Sequence, residues 1–137
     1  MFVFDTNHFS ELDRATTAGL RLTKRLENCD SPVFISIITA EESMRGWLAQ
    51  IRTAMDRGVT AYRRFQQGIE LLGTWDVLGW DEDSADIFDS LVRQRIRVGT
   101  LDLRIASIAL AHDATLLTRN LADFRKVPGL KIENWLD

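Results

Sequence analysis

Four acidic residues spread along the chain, Asp5, Glu42, Asp102 and Asp123, stand where a strand reads as ending or a helix as beginning. Asp5 closes the apolar "FVF" of the opening "MFVFDTN", and a carboxylate at the end of an inner strand needs a partner. If Asp5, Glu42 and Asp102 meet, each raises the pKa of the others unless a bound cation offsets the repulsion. All-oxygen donors suit a hard divalent ion such as Mg²⁺ or Mn²⁺, whose shell is completed by waters and substrate phosphate. Such an ion activates a water and stabilises charge on phosphate oxygens during in-line displacement. The chemistry to expect is hydrolysis at a phosphodiester.

Local explanations compete for each acid. Asp102 and Glu42 read as first-turn acids that complement a helix dipole, worth roughly 0.3–1 kcal/mol each. Asp123 reads as a cap on a local turn. Asp5 is harder to explain locally, because a carboxylate that closes an inner apolar strand needs a partner.

The elements that must position these acids alternate along the chain. After the opening strand, a short helical turn is expected over His8 to Leu12. Leu20, Leu22 and Leu26 then mark a polar helix ending near Asn28, and "VFIS" reads as a second buried strand. From Thr39 a helix carries Met44, Trp47, Leu48, Ile51 and Met55 at three-and-four spacing. Gly58 interrupts it, and a second helix with Tyr62, Phe65, Ile69 and Leu72 completes a helical hairpin. "WDVLGW" reads as a third strand, "DEDSADIFDSLVRQRI" as a helix capped by Asp81, "LDLRIASIALAHD" as a helix opened by Gly99 and Thr100, and "ATLLT" as a fourth strand. A helical turn at "LADF" and a last strand at "LKIENW" follow. Alternating strands and helices predict a parallel sheet, with ligands outside the carboxyl ends of its strands.

Bulk properties agree with that architecture. A chain of 137 residues with 45% hydrophobic and 27% charged residues fits one globular domain, residues 1–137, able to bury a core without disulfides. No window has the unbroken apolar length of a membrane span. The single cysteine, Cys29, cannot form an internal disulfide, and a strand starting at residue 2 leaves no room for a signal peptide, so a cytoplasmic location is expected. The formal charge of -3 argues against wholesale attraction to nucleic acid, although the basic residues are mostly arginine, whose planar fork suits phosphate locally.

"VFDTN", "SIITAEESMRG", "TLDLRIASIALAHDATLLTRNLADFRKVPGL" and the closing "IENW", taken in order, resemble the PIN-domain ribonucleases, and among them the VapC toxins of prokaryotic toxin–antitoxin pairs. The resemblance spans essentially the whole chain. It implies a three-layer α/β/α sandwich with a central parallel sheet and a helical hairpin, and a metal-dependent endoribonuclease that cuts RNA by a metal-activated water. Asp5, Glu42 and Asp102 match the family's metal-binding acids. Glu42 is preferred to Glu41 because Thr39, Glu42 and Gly46 meet the family's spacing, and adjacent helical residues point about 100° apart. The fourth position departs from the pattern: many relatives carry an acid where Asn120 stands, while others pair "TRN" with the acid three residues on, here Asp123. Thr6 and Thr118 match hydroxyl residues that orient the acids, and Asn7 a polar neighbour of the first. Arg104 and Arg119, beside matched positions, could hold RNA phosphates or lie solvated. The resemblance further implies a cognate VapB-type antitoxin, whose tail lies along the toxin, and a homodimer. The hairpin's apolar stripe is shared between core, dimer and antitoxin in a way the sequence leaves open.

Two other readings were set against this one. A strand-end aspartate is phosphorylated in phosphoaspartate phosphatases and receiver domains, but those phosphatases want a second aspartate where Asn7 stands, and Lys24, Lys126 and Lys131 do not end buried strands. A non-catalytic RNA- or protein-binding module on the same fold is the stronger competitor, and Asn120 favours it.

Overall fold

The computed structural model describes residues 1–137. Five parallel strands form one sheet: β1 (Phe2–Phe4), β2 (Val33–Ser36), β3 (Val77–Leu78), β4 (Thr115–Leu117) and β5 (Lys131–Glu133), in the order β3-β2-β1-β4-β5. Seven helices flank it: α1 (Thr6–Asp13), α2 (Thr17–Glu27), α3 (Ile37–Arg52), α4 (Val59–Leu72), α5 (Glu82–Arg93), α6 (Thr100–Ala111) and the single turn α7 (Leu121–Phe124). The chain builds outward from β1 to β2 and β3, then returns to place β4 on the other side of β1. The order therefore reverses between β1 and β4, the position at which an open parallel sheet leaves a crevice beyond its carboxyl ends.

Side chains of β1 alternate across the sheet as a strand dictates. Val3 enters one core with Leu116, Leu91 of α5 and Leu103, Ile105 and Ile108 of α6. Phe4 enters the other with Ile35, Leu117, Phe9 of α1, Leu22 of α2 and Trp47 of α3. The sheet is thus covered on both faces, giving the three layers expected. Each large apolar side chain fully removed from water contributes roughly 1.5–3 kcal/mol, and Val3, Phe4, Ile35, Leu116 and Leu117 are all at 0% exposure.

Trp47 ties the helical hairpin to α1. Its indole N–H donates to Asp13 Oδ2 at 3.2 Å, and its ring fills the space above Gly68 of α4, where any Cβ would collide with it. Gly19 of α2 is needed for a similar reason, because a Cβ there would strike the Glu11 carbonyl of α1.

Several boundaries differ from the sequence expectation, each for a local reason. The first helix runs over Thr6–Asp13 rather than His8 to Leu12, because Asp5 itself is the N-cap and accepts the Thr6 N–H. The helix after β2 starts at Ile37, not Thr39, because the Ser36 hydroxyl caps it by accepting the Thr39 N–H. Glu42 consequently lies in the second turn and owes nothing to dipole complementarity. The "WDVLGW" strand shrinks to Val77–Leu78 at the sheet edge, since Trp75 turns inward to pack on Phe4 and Phe9. The hairpin's stripe also divides. Trp47 is buried, whereas Met44, Leu48, Tyr62 and Ile69 are exposed, and Met55 lies beyond the end of α3, 98% exposed.

Candidate active site

The crevice between β1 and β4 is built around Asp5, which is 5% exposed. Its Oδ1 accepts the Thr6 N–H at 2.7 Å and its Oδ2 the Thr118 hydroxyl at 2.7 Å, so one oxygen is oriented by α1 and the other by the end of β4. Thr118 is fixed in turn, because its oxygen accepts the Asn120 N–H at 2.9 Å. The Thr6 hydroxyl donates to Glu42 Oε1 at 2.7 Å and lies 3.2 Å from the hydroxyl of buried Thr39. Thr39 and Glu42, three apart in α3, share a helix face and reach the same hydroxyl. Glu41 faces elsewhere and pairs with Arg45 at 2.7 Å.

Asp102 enters from the first turn of α6. Burial, then the charges of Asp5, Glu42 and Asp123, push its carboxyl up to about 6. Asp5 is raised as well, chiefly by burial, against the lowering effect of its hydrogen bonds from Thr118 and Thr6. Asp123 behaves differently: hydrogen bonds from Asn120 Nδ2 at 2.9 Å and from Lys126 at 3.2 Å hold it below the ordinary aspartate range. Asn120 and Asp123 are thus bonded to each other, and Asp123 lies close enough to raise the Asp102 carboxyl.

The other residues singled out in the sequence stand apart from the acids. Asn7 is exposed on α1 and makes no side-chain hydrogen bond within the protein. Arg104 lies over the ring of Phe88, 5.3 Å from its centroid. Arg119 reaches Glu11 through Nη1 at 3.1 Å and Asp137 through Nε at 3.4 Å. Glu11 was not anticipated. It is buried, and it also takes the Thr16 hydroxyl and a contact from Arg14 at 3.5 Å. Thr16 and Arg14 are near it in sequence, but its third partner, Arg119, lies 108 positions away, and no local signal identifies that contact.

Whether the acids suit a divalent ion can be judged from their surroundings. As placed, no three of the protein's acids, histidines and cysteines form a ready-made metal cluster, and Glu42 is turned toward the Thr6 hydroxyl. Yet Asp5, Glu42 and Asp102 have oxygen donors only, feel one another's charge, and have no ion pair with any cationic side chain. In donor chemistry and in uncompensated charge they fit a hard cation.

Comparison with known proteins converges on the same fold. The PIN-domain family model matches residues 2–130. A ribonuclease VapC of Rickettsia bellii is 40% identical over 132 residues, spanning 95% of this chain and 92% of that protein. A tRNA(fMet)-specific endonuclease VapC of Salmonella typhimurium is 31% identical over 109 residues, 77% of this chain and 76% of the relative. Among solved structures, a DNA-bound VapBC from Salmonella typhimurium superposes with a TM-score of 0.79 at 25% identity, covering 98% of this chain and 97% of that one.

Proposed function

From the premise that this chain belongs to the PIN-domain family, alongside the VapC ribonucleases, we propose that it is a metal-dependent endoribonuclease of a toxin–antitoxin pair. The observation that carries the reading is the crevice itself. Asp5, Glu42 and Asp102 arrive there from β1, α3 and α6, and burial with their mutual charge pushes Asp102 up to about 6. A fold that keeps such charges together without a cationic side chain invests stability in a ligand to come.

In this proposal Asp5, Glu42 and Asp102 hold Mg²⁺ or Mn²⁺, with Asp123 and Asn120 at the rim. When bound, the ion lowers the pKa of water and draws charge from the phosphate oxygens. The protein's own groups do the positioning. Thr118 and the Thr6 N–H fix the two oxygens of Asp5, and the Thr6 hydroxyl holds Glu42. Arg119, occupied by Glu11 and Asp137, braces the segment that carries Thr118 rather than gripping phosphate.

The relatives named VapC, and solved neighbours that are VapBC complexes, support a VapB-type antitoxin as the inhibitory partner. The exposed Met44, Leu48 and Tyr62 of the hairpin supply apolar surface for a protein partner or for a second copy of the chain. No helix is long and apolar enough to cross a membrane.

The test is cleavage of a mixed pool of transfer and messenger RNA with Mg²⁺ or Mn²⁺, with chelator, and by Asp5→Asn. Discrete products that vanish with chelator and fall at least 100-fold in Asp5→Asn are expected. Asp5→Asn keeps the side chain's shape, so a folded variant with full activity removes Asp5 from the site. Salt-sensitive RNA binding without cleavage at any metal would favour the binding-module reading instead.

A further inference from the structure

A polar cleft of about 180 Å³ leads away from the acids between α1 and α3. Thr6, Ser10 and Arg14 line one side at four-residue steps, and Glu42, Gly46 and Gln50 line the other at the same steps. Two helix faces thus run together for eight residues, about 12 Å, from the proposed catalytic carboxylates outward. Arg64 of α4 and Arg14, the latter engaged by Glu11 at 3.5 Å, add positive charge to the lining, and Asp13 sets a carboxylate among them that accepts the Trp47 indole N–H. Arg64 has no ion-pair or hydrogen-bond partner within the protein, and neither does the amide of Gln50.

Gly46 makes this cleft more than a surface irregularity. Three glycines interrupt helices α2, α3 and α4, and two have packing reasons: Gly19 admits the α1 backbone and Gly68 admits the Trp47 ring. At Gly46 an added Cβ would meet nothing within 4 Å, and its backbone does not take the left-handed conformation that favours glycine. Glycine in the middle of a helix is destabilising relative to alanine, and no neighbour in the folded chain requires it. The space it leaves opens into the cleft.

We propose that this cleft receives the nucleotide next to the scissile phosphate of single-stranded RNA, with Gly46 as the wall against which it lies. The proposal rests on the ribonuclease reading and deepens it. Phe9 and Trp47 underlie the cleft but are 0% and 6% exposed, so they offer no face for a base to stack on. Recognition falls to the polar edges of a splayed base, met by Gln50 and Ser43, with Arg64 on the neighbouring backbone phosphate. Glu42 at one end and the unpaired guanidinium of Arg64 further along match a strand whose scissile phosphate sits on a cation while the next phosphate needs a direct counter-charge. The volume is below the 300–1,000 Å³ usual for drug-sized ligands, which suits one nucleotide rather than a folded RNA element.

The experiment compares wild type with Gly46→Ala, Gly46→Leu and Arg64→Ala. It measures melting temperature, KM and kcat on a short single-stranded RNA with Mg²⁺, and retention of uncut RNA in chelator. Gly46→Ala should melt about 3 °C higher, as removal of a helix glycine predicts. Gly46→Leu should fold as well as wild type yet weaken RNA binding at least 10-fold, seen as raised KM and reduced retention. Arg64→Ala should weaken binding and reduce the slope of log affinity against log salt by about 0.7, one phosphate contact on a single strand. Equal RNA affinity across all four proteins overturns the assignment, and if Gly46→Leu then loses only a protein partner, the cleft is that partner's. Failure of wild type to bind or cut any single-stranded RNA overturns the ribonuclease reading beneath it. Should the added leucine disturb the packing of α1 on α3, Arg64→Ala, an exposed change, keeps the proposal open to refutation.

Discussion

Asp5 and Glu11 sit at opposite ends of α1, six residues apart and both buried, and the protein treats them in opposite ways. Glu11 is given the Thr16 hydroxyl, the guanidinium of Arg119 and a contact from Arg14, and its pKa falls. Asp5 is given one hydroxyl and one amide but no cation, Glu42 and Asp102 are set nearby, and its pKa rises. The fold had arginine available and placed it at Glu11. One end of α1 is an internal ion-pair network; the other is a site whose counter-charge must come from outside. The difference separates an acid that stabilises the fold from acids held for a ligand, which burial alone would not do.

The sharpest way to break this comparison is Asp102→Asn. Asp102 ionises with difficulty because the folded state raises its pKa to about 6 from an ordinary 3.8. A carboxyl that binds its proton more tightly when folded makes the fold less stable as pH rises from about 4 to 6. At pH 7 that cost is present in full, so removing the charge relieves it. The metal-free variant should melt about 3 °C above wild type, while RNA cleavage falls at least 100-fold. Mg²⁺ should raise the melting temperature of wild type, by linkage of ion binding to folding, and leave that of Asp102→Asn nearly unmoved. An Asp102→Asn protein less stable than wild type without metal would mean that the crevice acids are structural, as Glu11 is.

Glu11→Gln probes the other end. It keeps shape but turns one accepting oxygen into a donating NH2 and removes the charge that Arg119 faces. The expected loss is about 2 kcal/mol, read from urea unfolding, with kcat of the folded protein within about threefold of wild type. The two substitutions should therefore move stability in opposite directions and activity to very different degrees. A 100-fold loss of kcat in a folded Glu11→Gln protein would erase the distinction.

This contrast also marks what the sequence could say. The positions of Asp5 and Asp102 were legible because each is local: an acid closing an apolar strand or opening a helix lands at the sheet's carboxyl edge once the sheet is parallel, whereas Thr118 was marked only by the family resemblance. Glu42 was singled out over Glu41 by the family's spacing of Thr39, Glu42 and Gly46, although the start of its helix was placed two residues late because Ser36 was read as strand and not also as cap. The hydrogen bond between Asn120 and Asp123 at 2.9 Å was not legible, because it depends on how the short turn of α7 folds. Glu11 and Arg119 were illegible as a pair. Nothing in "SELDR" or "TRN" tells that two segments 108 residues apart will meet, so the sequence left Arg119 open between a phosphate contact and a solvated side chain.

The smallest expected effect lies at His8, where the same region can be read through pH. His8 is fully buried, and its Nε2 accepts the Trp135 N–H at 3.2 Å, which puts the ring proton on Nδ1, where no acceptor stands. Burial, reinforced by Arg119, lowers its pKa to about 4, against the opposing pull of Asp137 and Glu11. The unfolded chain, with an ordinary histidine near 6.5, binds the proton more tightly, so stability drawn from neutral His8 is lost as pH falls from about 6.5 toward 4. By pH 5.5 the loss amounts to about 1.4 kcal/mol. The crevice acids push the other way over much of that window, since protonating Asp102 relieves repulsion. Wild type should therefore show a shallow net dependence of unfolding free energy on pH between 4.5 and 6.5. Asp102→Asn should steepen its fall toward acid by removing the opposing term, and His8→Gln should flatten or invert it. The slope, rather than the baseline stability that His8→Gln also changes, is the measurement. If both variants keep the wild-type slope, neither region titrates as its burial and neighbours require.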